Sequence, residues 1–85
     1  MKLKRFYVVT VGMMGYLPES RDAFSSLRRA EQYARGLASS FREDGYEVMG
    51  SGADGFWTAG SYVIEIGSFP WSELEEMGWE KEDLG

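Results

Sequence analysis

Residues 26–44 read SLRRAEQYARGLASSFRED, and the reading of this stretch decides the fold. Leu27, Ala30, Ala34, Leu37, Ala38 and Phe41 recur at helical spacings, which puts them on one face of a helix. Tyr33 flanks that face. The opposite side is polar, and Arg28, Arg35 and Arg42 recur every seven residues along one edge. Ser25 or Ser26 can cap the start, and Gly45 is placed to close the end in a left-handed conformation. The small residues Ala30, Ala34 and Ala38 let the helix come close to whatever it covers.

Beyond the helix the chain turns extended. Tyr46–Ala53 and Phe56–Gly67 flank Asp54-Gly55, a two-residue hairpin signal. That turn predicts Ala53 opposite Phe56, Val48 opposite Ser61 and Tyr46 opposite Val63, with glycines 50, 52 and 60 marking a bulge or twist. Ile64 and Ile66 are expected to meet the helix. Before the helix, KRFYVVTVG at 4–12 is β-branched and aromatic, with both alternate sets largely apolar, which suits a central strand or one covered on both faces. The charged residues ahead of Phe6 resemble a signal peptide only faintly, because the apolar run is short and no cleavage site follows. GMMGYLPESRD at 12–22 breaks regular structure, and Asp22–Phe24 can form a short second strand. After Pro70, WSELEEMG at 71–78 signals a compact helix with Ser72 and Glu75 as a capping box and Gly78 as its stop. These elements predict an α+β fold: a three- to four-stranded antiparallel sheet covered by one long helix, with a short C-terminal helix. The expected organisation is a single domain over 1–70, followed by an acidic C-terminal helix and tail over 71–85.

Composition narrows the chemistry. The 85 residues include no cysteine and no histidine, which removes thiolate nucleophiles, Ser-His triads and the usual zinc ligands. The expectation is a cytoplasmic, non-enzymatic protein with no cofactor, no metal and no membrane span. The net charge of −5 is not spread evenly. Residues 1–70 hold eight residues of each sign, whereas 71–85 hold Glu73, Glu75, Glu76, Glu80, Glu82 and Asp83 against Lys81 alone. The tail therefore carries the whole net charge.

A run of acids is commonly a solvated end that aids solubility. It could also dock on the chain's own Arg28/Arg35/Arg42 edge. The sharper expectation is a recognition surface for a basic partner: those six acids, with Trp71 or Trp79 as an apolar anchor. Packing of both tryptophans on the sheet is the equal alternative. A rival reading is a small nucleic-acid-binding module that uses the helix arginines and the hairpin aromatics Phe56, Trp57 and Tyr62. Core packing is the ordinary use of such aromatics, and a net negative chain attracts phosphates poorly. Gly12-Met13-Met14-Gly15 has the GxxG spacing of KH loops, but methionines replace the usual basic residues and the helix starts well downstream.

GYLPES at 15–20, Phe24 leading into SLRRAEQYARGLA at 26–38, FREDGYEVMG at 41–50 and YVIEIG at 62–67 together resemble small uncharacterised bacteriophage proteins with a GYLP-type loop. By size, charge and layout the chain also resembles anti-CRISPR inhibitors. That resemblance implies a phage-type protein, acting in the host cytoplasm, that binds a host defence protein with a basic surface. A CRISPR effector complex is the implied target, with no direct nucleic-acid contact. An accessory phage protein with no inhibitory role is the further alternative. Oligomeric state is not legible in the sequence.

Overall fold

The computed structural model describes residues 4–85. Five strands, β1 (Phe6–Met13), β2 (Ser20–Phe24), β3 (Val48–Ser51), β4 (Phe56–Ala59) and β5 (Tyr62–Phe69), form one sheet in the order β2-β1-β5-β4-β3. Every pairing is antiparallel. The long helix α1 (Leu27–Glu43) lies across one face, and a short helix α2 (Trp71–Glu76) with a 3₁₀ turn at Lys81–Asp83 follows the sheet. The α+β architecture is therefore as expected, with one strand more than the upper expectation of four.

The long helix ends where its caps place it. Ser26 is the N-cap, and its Oγ accepts a hydrogen bond from the Arg29 N–H at 3.2 Å. Asp44 is the C-cap, and Gly45 takes φ +95° just beyond it. Ala30, Ala34 and Ala38 are fully buried against Val9, Val11, Trp57 and Ile64, while Leu37, Phe41 and Ile66 pack at the margin. Leu27 departs from the expected stripe and is exposed, at the border of an open depression that it shares with Tyr7, Gly55 and Ile66.

The extra strand comes from a hairpin that differs from the sequence reading. Residues 56–67 are not one strand. Ala59 pairs with Tyr62 across a two-residue Gly60-Ser61 turn, and Gly60 supplies the φ of +61° that such a turn requires. Asp54-Gly55 does not form a two-residue turn either. Ser51 pairs with Phe56 and Val48 with Ala59, so Gly52–Gly55 make a four-residue connection. Within it the Ser51 hydroxyl donates to Asp54 Oδ2 at 3.1 Å.

β1 lies inside the sheet and is covered on both faces, as its continuous apolar run implies. Val9 and Val11 join the α1 core, with Tyr7 beside them. Phe6 and Val8 point the other way and join Ala23 and Leu74 in a second core, lined by Phe69, Trp71, Trp79 and Leu84. Residues 71–85 are thus packed on the sheet face opposite α1. Ile64, Leu74 and Val9 are the largest fully buried side chains, each contributing about 1.5–3 kcal/mol by burial. Among the described residues no helix is long and apolar enough to cross a membrane.

Candidate functional site

The acidic segment is held by apolar contacts rather than by charge. Pro70, not Ser72, is the N-cap of α2, and no side chain caps that end. The expected Ser72/Glu75 capping box is absent because the helix begins two residues earlier than that box requires, leaving Ser72 inside it. A reciprocal box forms instead around the 3₁₀ turn, where Asp83 Oδ2 accepts from the Glu80 N–H at 2.9 Å. Leu74 inserts into the second core with no exposure. The Trp79 N–H bonds the Leu74 carbonyl at 3.0 Å, and the Gly85 N–H bonds the Ala23 carbonyl at 2.8 Å, which fixes the chain end beside β2.

On this frame all six predicted acids, Glu73, Glu75, Glu76, Glu80, Glu82 and Asp83, are exposed. Among the described residues the sole ion pair, Arg35 with Glu31 at 3.7 Å, lies on α1 and engages none of them. The tail does not dock on the Arg28/Arg35/Arg42 edge, since α1 and the tail occupy opposite faces of the sheet. The Glu80 carboxyl is held above the ordinary carboxylate range, first by a hydrogen bond shared with Glu82 and then by the Asp83 charge. Glu80, Glu82 and Asp83 thus lie close to one another.

Trp71 and Trp79 are half-buried, and each takes part in the second core. The Phe6 ring meets Trp71 edge-on, with centroids 5.4 Å apart. Both indoles also line an open depression of about 670 Å³, shared with Glu75, Gly78, Glu80 and Lys81. The fold therefore brings together Trp71, Glu75, Trp79 and Glu80 around one concavity. Glu73, Glu76, Glu82 and Asp83 lie outside its lining.

The features of the rival module are dispersed. Trp57 is 3% exposed beneath α1, and Phe56 points from the opposite face of β4. Tyr62 is clustered with Phe41 and Tyr46, at centroid distances of 5.2 and 5.8 Å. These three aromatics share no stacking platform. Gly12 to Gly15 run from the end of β1 into the hairpin connection to β2, not between helices.

That connection carries exposed apolar side chains, on and just before the GYLPES loop to which the sequence reading gave no role. Met14, Tyr16 and Leu17 are 62%, 76% and 84% exposed. Beside them the open half of the sheet forms a shallow groove past Thr10, Val63 and Glu65, which continues past Arg21 to Met77. Apolar residues set between turn formers, with no period to bury them, were the available signal. No protein-family model, no curated protein and no solved structure matches the chain.

Proposed function

We propose that this chain is a non-enzymatic protein binder that captures a basic surface of a host protein, in the manner of a phage-type inhibitor. Its target is a defence complex that handles nucleic acid, of which a CRISPR effector is the leading case. The observation that carries the reading is the exposure of six carboxylates, free of ion pairs among the described residues, on a segment rooted by Leu74. Carboxylates held at fixed intervals on a folded body can occupy a groove made for phosphates. Each exposed pair is worth only about 0–1 kcal/mol, so affinity resides in the cluster. Such charges chiefly steer and accelerate association.

The test replaces all six acids by Gln or Asn and measures melting together with binding to a purified CRISPR effector complex at several salt concentrations. The expected result is no loss of melting temperature, with association slowed at least tenfold at low salt. Equal binding by both forms would refute the acidic surface. Salt-sensitive binding of duplex DNA, lost when Arg28, Arg35 and Arg42 become Gln, would establish the nucleic-acid module in its place.

A further inference from the structure

The acidic end already holds a cation on an aromatic face. Lys81 Nζ lies 5.7 Å from the centroid of the Trp71 ring. No carboxylate of the tail forms an ion pair with Lys81, so the ring is the partner its ammonium has. Lys81 lines two depressions at once. One is the tryptophan depression with Glu75 and Glu80, and the other, of about 400 Å³, is bounded by Lys4, Phe6, Pro70, Trp71 and Ser72. Its side chain stands between the two. A tryptophan face attracts a cation, and more strongly as water is excluded around it. Here that face is bordered by exposed carboxylates on α2 and on the segment before the 3₁₀ turn.

We propose that Trp71, with Trp79, Glu75 and Glu80 around it, is a receptor for one arginine side chain of the basic partner, and that Lys81 fills it in the free chain as an internal competitor. This rests on the acidic-surface reading and names the contact at its centre. Arginine fits better than lysine for a physical reason. A guanidinium is planar, stacks on an indole, is less strongly hydrated than an ammonium, and presents a fork of donors to carboxylates. Exchange of Lys81 for a partner arginine therefore replaces a strongly hydrated point charge with a group that stacks and donates at the same time. Displaced Lys81 returns to water.

The full chain is titrated with acetyl-tetra-arginine amide, following the Trp71 indole Nε1–H resonance. Lys81→Met removes the competitor and should tighten binding about fivefold. Arg28→Met makes the same change in net charge on the far face and should leave affinity unchanged. Trp71→Phe retains a ring against Phe6 and should weaken binding, and acetyl-tetra-lysine amide should bind less tightly than the arginine peptide. Equal tightening by Lys81→Met and Arg28→Met would reduce the effect to net charge and overturn the receptor while leaving the acidic surface standing. An unmoved Trp71 resonance at saturation would likewise overturn the receptor. Undiminished binding by the six-acid variant would overturn the acidic surface itself.

Discussion

Ala34 sits at the middle of the α1 face with no exposure, and its single methyl sets how closely the helix lies on the sheet. A larger residue has nowhere to go. Ala34→Leu should cost about 1–3 kcal/mol by overpacking, read as a fall in Tm of about 4–8 °C for each kcal/mol. Gly36 is the reverse case. It lies inside the same helix on the solvent side, and a Cβ added there would meet nothing within 4 Å. Gly36→Ala should therefore stabilise the fold by about 0.5–1 kcal/mol, because the unfolded chain loses freedom while the helix loses nothing. A drop in Tm for Gly36→Ala would mean that the exposed face of α1 is covered.

At the scale of elements, a single side-chain hydrogen bond ties α1 to β2. The Tyr33 hydroxyl donates to Asp22 Oδ2 at 2.8 Å. The Tyr33 phenol is pushed above its ordinary value, first by that bond, then by burial, then by the Asp22 charge. A raised folded pKa means that the contribution is fully present below the unfolded value of about 10 and is lost as pH rises through the folded value. Tyr33→Phe should cost about 0.5 kcal/mol near neutrality, since the pair is largely solvated. It should also flatten the decline of Tm as pH rises above about 10. The attachment of the tail is an apolar matter instead. Leu74→Ala should cost about 2–5 kcal/mol and release residues 71–85, seen as faster amide exchange at Trp79 and Gly85. The six-acid substitution should leave those amides protected.

At the scale of the whole molecule, β1 is shared by two cores. Val9 and Val11 serve the α1 side, while Phe6 and Val8 serve the tail side. Neither core can persist once the strand between them is lost. Helical circular dichroism and tryptophan fluorescence should therefore report one coincident unfolding transition, and a separate early step in the fluorescence would contradict the shared strand. The charge distribution acts at the same scale. Raising ionic strength from about 0.1 M to about 1 M shortens the screening length from about 10 Å to about 3 Å. Tm should rise as repulsion within the tail is screened, and by less in the six-acid variant.

The sequence alone determined the long helix almost residue for residue, through a serine cap at 25 or 26, the alanine spacing and Gly45. These are local signals that need no partner to act. It also determined that the first strand is covered twice, because burial on both faces removes alternation, and that Ile64 meets the helix, because the apolar residues of its strand do alternate. Only the tertiary structure decided the register of the β3–β4 pair. Val48 lies opposite Ala59 rather than Ser61, a shift that keeps every side chain on its face while placing Gly60 where a positive φ is needed. Glycines 50, 52, 55 and 60 offered several turns of similar local merit, and the choice fell to the packing of Trp57 and Ala59 beneath α1. The place of the acidic tail was decided in the same way. Its charge was written in composition, but the face it occupies follows from where Leu74, Trp71 and Trp79 find apolar surface, since exposed charge contributes too little to choose a side.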